Sequence, residues 1–276
     1  MRGGRLVVAL DQCSEADRKP DNDDFHGASV PDGPALASKG IAIAIADGIG
    51  SSRVSGVAAS LAVRAVVDDY YCTPESWAVK TAGGRVIAAV NSWLHAETRR
   101  GAAEPDQGYV CTLSALILKG MVGHVFHAGD SRVWRSAGRS LEQLTEDHRV
   151  HASSEQSYLA RAIGAAAHVD IDYRSVALAV GDVFVLSTDG VHDHLAPEAI
   201  VAEMEGPGGL DAAAQRIVAR ALAAGSSDNL TVQLVRIESV PEPGLDSLRD
   251  PASPVPCQAA GGGGDSGRLF GSASAA

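Results

Sequence analysis

Four aspartates in this chain stand at the ends of apolar runs, each beside small residues. Asp47 directly follows the run 41–46 and is succeeded by Gly48-Ile49-Gly50. Asp189 follows the run 183–186 within Ser187-Thr188-Asp189-Gly190, and Asp130 follows 122–128 within Gly129-Asp130-Ser131. Asp228 precedes the run 230–237 within Ser227-Asp228-Asn229. A carboxylate at a strand end is fixed by a rigid sheet, and a small neighbour lets a backbone carbonyl approach the same ligand. Hard divalent cations such as Mg²⁺ and Mn²⁺ take oxygen ligands of this kind. Asp-Gly alone is an ordinary turn dipeptide. The repetition of one local grammar at four strand ends is what points to a metal site.

The elements that must position these residues follow from hydrophobic periodicity. Residues 6–10 and 41–46 are predicted strands. Residues 54–70 carry apolar positions at helical spacing, with Ser51, Ser52 and Ser55 available as caps. A second helix is expected over 78–100, weakened in its first turn by Gly83 and Gly84. Strands are expected at 111–118, 122–128, 133–135, 175–179 and 183–187, with Lys119-Gly120 and Ala137-Gly138 where tight hairpin turns are needed. Helices at 197–204 and 210–223 and a strand at 230–237 complete the body. Helices in pairs and strands in runs argue for an α+β chain of antiparallel sheets covered by helices, not a doubly wound parallel sheet.

From Ser239 onward the composition changes. Pro241, Pro243, Pro251, Pro254 and Pro256 are followed by Gly261 to Gly264 and a Ser/Ala end. Such a segment buries too little apolar surface to offset its ordering entropy. The expected organisation is therefore one domain over 1–238 and a disordered tail over 239–276.

Composition narrows the function. The chain has 276 residues, 45% of them hydrophobic and only 4% aromatic, so the core must be built from aliphatic side chains. A net charge of -11 argues against nucleic-acid binding, which needs clustered Lys and Arg, and against a basic membrane-surface patch. Cys13, Cys72, Cys111 and Cys257 form no C-x-x-C pair, and no apolar run is long enough to span a bilayer or to form a signal-peptide core. The expected location is the cytoplasm, and the expected state is a monomer. No P-loop is present, and Gly48-x-Gly50 opens no β-α-β unit.

Taken as an ordered set, several segments resemble motifs of the metal-dependent protein Ser/Thr phosphatases of type 2C. They are Asp47-Gly48-Ile49-Gly50, Gly129-Asp130-Ser131-Arg132, Ser187-Thr188-Asp189-Gly190 and Ser227-Asp228-Asn229-Leu230-Thr231-Val232. Asn22-Asp23-Asp24, Cys111-Thr112-Leu113, the stretch from Leu141 to His148 and Arg161-Ala162-Ile163-Gly164 agree with it. The resemblance covers residues 5–238. It implies an α-β-β-α sandwich of two antiparallel sheets flanked by helix pairs, with metals in a cleft at one end. It also implies that Asp47 bridges two Mn²⁺ or Mg²⁺ ions, that the Gly48 carbonyl sits on one, and that Asp189 and Asp228 complete the other. Asp23 and Asp24 would act mostly through water, and Asp130 would join Asp189 at a weaker third metal, with Asp193 nearby. Metal-activated water would then attack phosphorus in line, with no nucleophilic side chain required. The implied substrates are phosphoserine and phosphothreonine proteins, with a Ser/Thr kinase or its substrates as partners. A catalytically idle phosphoprotein-binding relative is the alternative, but such a relative loses at least one metal carboxylate and this chain has them all.

Three departures from the pattern stand out. Lys19, with Arg18 beside it, occupies the place of an Arg that grips the substrate phosphate, and a lysine lacks the bidentate fork. Ile49 stands where some members carry a His as general acid. The segment between His148 and Tyr158 is short where a longer flap often covers the cleft. His192-x-His194 has metal-like spacing but directly follows Asp189-Gly190, which favours a structural role, and His127 reads as core or cleft wall.

Overall fold

Ile41, Ile43 and Ile45 alternate with Ala42, Ala44 and Ala46, and this period of two sends the rows to opposite faces of one strand. In the computed structural model of the chain the isoleucines enter one apolar cluster and the alanines another. The structure describes residues 4–16, 18–50, 54–101, 108–138, 140–151, 157–242 and 267–271. Strands β1 (Val7–Glu15), β2 (Asp24–Val30) and β3 (Ile41–Asp47) come first, with helix α1 (Gly33–Lys39) between β2 and β3. Helices α2 (Ser55–Val67) and α3 (Val79–Gly101) follow. Then come β4 (Leu113–Lys119), β5 (Val122–Ala128), β6 (Arg132–Ala137), β7 (Ser140–Gln143), β8 (Arg149–His151), β9 (Ser157–Leu159), β10 (Asp172–Ala177) and β11 (Val183–Ser187). Helices α4 (Asp189–His192), α5 (Pro197–Met204) and α6 (Gly209–Ala223) lead to β12 (Leu230–Ser239), and β13 (Gly267–Gly271) is last.

Two antiparallel sheets result, in the orders β1-β12-β11-β6-β7 and β10-β5-β4-β3-β2-β13; β8 and β9 form a separate ribbon. Three apolar layers define the sandwich. The middle layer joins Ile41, Ile43, Ile45, Leu116 and Val125 of one sheet to Val133, Phe184, Leu186, Val235 and Ile237 of the other. An outer layer packs Ala42, Ala44 and Ala46 against Ala58, Ala59, Ala62 and Val63 of α2, small residues on both sides that let helix and sheet approach closely. The opposite outer layer packs Val185, Val232 and Leu234 against Ala213, Ile217 and Val218 of α6. This is the α-β-β-α arrangement that the family resemblance implied.

Some elements were not anticipated. Asp24–Val30 shows no polar alternation because six of its seven residues are buried, and so it lacks the strand signature. The short elements α1, β7, β8 and β9 carry too few residues to show a period. The tail also departs from expectation. Much of 239–276 lies outside the described residues, but β12 runs to Ser239 and Gly267–Gly271 pairs antiparallel with β2, from Gly267 opposite Val30 to Gly271 opposite His26. The edge of β2 offers unpaired backbone groups, and an extended segment satisfies them.

The two glycines of α3 have different environments. A Cβ on Gly83 would lie 2.6 Å from the Phe126 ring, while a Cβ on Gly84 would meet nothing within 4 Å. Gly83 therefore lets the helix cross β5, and Gly84 only weakens it. Gly83→Ala should destabilise by about 1–3 kcal/mol through overpacking, whereas Gly84→Ala should stabilise by about 0.5–1 kcal/mol. Urea unfolding of both variants checks this; equal signs would contradict it.

Candidate metal centre

The alternation that buries the isoleucines of β3 carries on to Asp47, the next residue of that row, at the end of the strand. Across the ladder Asp24 is its register partner. On the facing sheet, Thr231 and Gln233 occupy the positions of β12 that alternate with the Val232 and Leu234 row. Going along the interior, apolar residues give way to Gln233, whose amide donates to the Gly27 carbonyl at 3.4 Å, and then to Asp24 with its two threonines. The interior thus becomes polar toward one end, and there it opens as a cleft of about 1120 Å³ lined by Lys19, Asp47, Gly48, Asp130, Asp189 and Asp228, among others.

Backbone bonds set the carboxylates. The Asp47 N–H donates to Thr112 Oγ1 at 2.9 Å, and the Thr112 N–H returns a bond to the Asp47 carbonyl at 2.8 Å. Thr112 Oγ1 is also 2.5 Å from Ser131 Oγ, which ties the Asp47 strand end to the loop bearing Asp130. Asn229 holds the opposite rim: its side-chain oxygen accepts from Asp23 N–H at 3.0 Å, and its amide donates to the carbonyls of Ala16 and Asp21. The loop carrying Lys19 is thereby fastened to the loop carrying Asp228. The glycines act through close approach, not through turn geometry. Neither Gly48 nor Gly190 has a positive φ. A Cβ on Gly190 would lie 2.1 Å from the Asn229 carbonyl oxygen, and one on Gly48 would lie 2.5 Å from Ser55 backbone.

The electrostatics follow from this crowding. Asp24 is 1% exposed. Its Oδ2 accepts from Thr188 at 2.8 Å and from Thr231 at 2.7 Å, while Oδ1 is buried without a partner. Burial, opposed by those two hydroxyls and reinforced by Asp189 and Asp228, pushes Asp24 up to about 7. Burial, then Asp130 and Asp228, push Asp189 up to about 6. Asp47 is held well above the carboxylate range by burial and by Asp24, Asp189, Asp130 and Asp228. Asp130 is raised by burial, with Arg149 working the other way. Two cations stand among these acids. Lys19 Nζ pairs with Asp228, and although burial works against its charge, Asp228, Asp47 and Asp24 hold its pKa above the usual value. Arg149 pairs with Asp130, Asp189 and Asp193.

Asp47, Asp189, Asp130, Asp228 and Asp24 are thus within mutual electrostatic reach, with Gly48 beside them. Asp23 is placed differently. It lines the cleft, but its Oδ1 accepts the Gly56 N–H at 3.1 Å at the start of α2, so the expected ligand serves in part as a helix cap. Of the two neighbouring acids, Asp24 is the one among the carboxylates. Lys19 lines the cleft. His192 and His194 do not converge: His192 is buried against Ser187 and Trp134, pushed down to about 3 by burial, and His194 is exposed. His127 is buried between Ser114 and the Glu146 carbonyl. Sequence reasoning missed Thr188, Thr231 and Arg149; the inward row of β12 signals Thr231, and adjacency to the Asp147-His148 motif signals Arg149.

The donors suit a hard divalent cation: they are oxygens, several are buried at a cost in charge, and one is unpartnered. Among the described residues, no three His, Cys, Asp or Glu side chains form a ready-made group around one cation position.

Comparison with known proteins agrees with this geometry. Residues 14–234 match the family model described as protein phosphatase 2C. The chain is 31% identical over 220 residues to the serine/threonine phosphatase stp of Listeria innocua, covering 70% of this chain and 83% of that protein. It is 27% identical over 254 residues to the serine/threonine protein phosphatase PstP of Mycobacterium tuberculosis, covering 83% of this chain and 45% of that one. Among solved structures, the M. tuberculosis phosphatase PstP/Ppp superposes with a TM-score of 0.70 at 25% identity, covering 85% of this chain and 100% of that one. The S. agalactiae serine/threonine phosphatase superposes at 0.72, covering 84% and 100%, and at 21% identity it speaks for the fold alone. With the α-β-β-α sandwich, the acidic cleft at its end and a family match over most of its length, the chain belongs to the protein phosphatase 2C family.

Proposed function

We propose that this chain hydrolyses phosphoserine and phosphothreonine in proteins at the acidic cleft, with two Mn²⁺ or Mg²⁺ ions as cofactors. The observation that carries the reading is the convergence of Asp47, Asp189, Asp228 and Asp24 on one polar end of the sandwich, with a buried Asp24 oxygen left without a partner. A structure of the related PstP catalytic domain is described as a complex with two manganese ions, which is support from that protein. Asp47, the Gly48 carbonyl, Asp189 and Asp228 would hold the ions. When bound, they would activate water for in-line attack on phosphorus and neutralise the phosphoryl oxygens. Asp24 Oδ1 would accept and return a proton at the floor of the cleft, while Thr188 and Thr231 keep its other oxygen fixed. Lys19 would draw the phosphate dianion to the cleft mouth. Ile49, which lines the cleft, supplies no proton to the leaving group. The idle-binder alternative gains no observation in its favour, because no carboxylate of the set is missing.

The substrates would be targets of a Ser/Thr kinase, and the activity would be cytoplasmic. Free Cys13, Cys72 and Cys111 support a reducing compartment. Among the described residues, no helix is long and apolar enough to cross a membrane.

Hydrolysis of a phosphothreonine peptide should require added Mn²⁺ or Mg²⁺ and cease with EDTA. Asp47→Asn should lower kcat at least about 100-fold, beyond the roughly 10–100-fold typical of losing a residue that only orients a ligand. Full turnover in metal-free buffer would defeat the reading.

The raised carboxylates predict a pH trend for the metal-free protein. Asp24 and Asp189 have folded pKa values of about 7 and about 6 against an unfolded value of 3.8, so the folded state binds more protons than the unfolded one in between. The stability they contribute is complete below pH 3.8 and is lost as pH rises through 6 and 7. Melting in EDTA should therefore fall in temperature between pH 5 and pH 8, and saturating Mn²⁺ should raise it most at pH 8. A melting temperature in EDTA that climbs over this range would contradict the assignment.

Lys19→Ala should raise KM for the peptide about tenfold, the ~1.4 kcal/mol of one charge-assisted contact, with kcat nearly unchanged. An unchanged KM removes Lys19 from phosphate binding.

A further inference from the structure

Arg149 follows directly on a rigid corner. The His148 N–H donates to the Gly129 carbonyl at 2.8 Å, and the Gly129 N–H donates back to His148 Nδ1 at 3.1 Å. Because Nδ1 accepts there, the ring proton lies on Nε2, which donates to Asp172 at 3.0 Å. Arg132 grips Asp147 with Nε and Nη2, at 2.9 and 2.6 Å to its two oxygens. These bonds fix residues 147 and 148 against the 129–132 loop, so residue 149 emerges over Asp130.

There the guanidinium is divided among three acids from two loops. Nε donates to Asp130 Oδ2 at 2.5 Å, Nη1 to Asp193 Oδ2 at 2.8 Å and Nη2 to Asp189 Oδ2 at 2.9 Å. The Arg149 side chain is 20% exposed and that of Asp130 is 6% exposed. The three carboxylates are spread over the three nitrogens of one guanidinium, and they offer the oxygens that a hard divalent cation takes once they are free to close inward. A guanidinium on this corner holds the position at high effective concentration, because the chain cannot diffuse away as a hydrated ion does.

We propose that Arg149 is a tethered cation that occupies the Asp130–Asp189–Asp193 end of the cleft in place of a divalent ion. It offsets part of the negative charge at that end permanently and confines metal uptake to the Asp47–Asp228 end. The proposal rests on the two-metal reading for what lies at that other end. Asp189 serves both ends, with Oδ2 committed to Arg149. On this proposal Arg149, rather than the third metal expected from the resemblance, is the partner of Asp130 and Asp189.

The test uses the full-length chain stripped with EDTA, as wild type, Arg149→Gln and Arg149→Lys. Equilibrium dialysis against Mn²⁺ with elemental analysis counts bound ions, and melting with and without Mn²⁺ gives a second readout. Arg149→Gln should bind about one more ion per chain than wild type, since three uncompensated carboxylates are then free to ligate. It should melt lower in EDTA and gain more from Mn²⁺ than wild type does. Arg149→Lys should keep the wild-type count, because an ammonium still fills the place. Equal Mn²⁺ counts in wild type and Arg149→Gln would overturn the proposal. So would a wild-type chain that itself takes a third ion, a result that needs no variant to fold. Wild type that binds no Mn²⁺ would instead defeat the two-metal reading, and a gain of one ion in Arg149→Gln would still support the exchange.

Discussion

Like charges that are brought together in a partly desolvated place push apart, and the architecture of this protein is arranged to resist that push. Asp24 and Asp47 are register partners on adjacent strands, where like charges are ordinarily destabilising. Asp130, Asp189 and Asp228 add to the repulsion from other elements. What keeps them in place lies behind them. The middle layer of isoleucine, leucine and valine holds the two sheets face to face, and each acid sits at or beside the end of a strand that this layer anchors. Local bonds then set orientation: two threonine hydroxyls on Asp24, Thr112 against the Asp47 backbone, and Asn229 across the opposite rim. Two side-chain cations absorb part of the remaining charge.

A good part of this could be read in the sequence, for a physical reason. An apolar run that ends in Asp-Gly states at once that a strand is buried and that a polar group stands at its end. Residues 41–47 and 183–190 carry that statement plainly, and the strands and acids appear where it puts them. Antiparallel sheets covered by helices were legible from the succession of strands, and the resemblance to the phosphatases supplied the two-sheet sandwich. β2 was not legible. Nearly all its residues are buried, so it shows no alternation, and its first residue proves to be the buried acid of the pair Asp23-Asp24. Which of those two carboxylates faces the cluster depends on the pleat, and hence on a strand boundary that periodicity did not reveal.

The glycines of the motifs show where a turn-based reading would mislead. Gly48 and Gly190 follow aspartates as turn glycines do, yet their φ angles are ordinary and their need is for space. Backbone of Ser55 and of Asn229 passes where a methyl group would be. Only tertiary packing reveals this, and only tertiary packing shows which acids Arg149 meets. Its partners come from the ends of β5 and β11, brought together by the sandwich.

The bonds that close the cleft join the extremes of the domain. Asp24 is held by Thr231, Asp23 by Asn229, and Lys19 pairs with Asp228, all across more than 200 residues of chain. β1 completes its sheet only by pairing with β12. Contacts of such separation are the slowest to form, because the loop entropy between them is lost before they can reward it. During synthesis the first acids emerge early, but Asp24 and Asp23 lack their partners Thr231 and Asn229 until the far end of the domain follows. The cleft is therefore among the last features of the domain to assemble, and a chain still short of that strand would carry most of the acids without a catalytic centre.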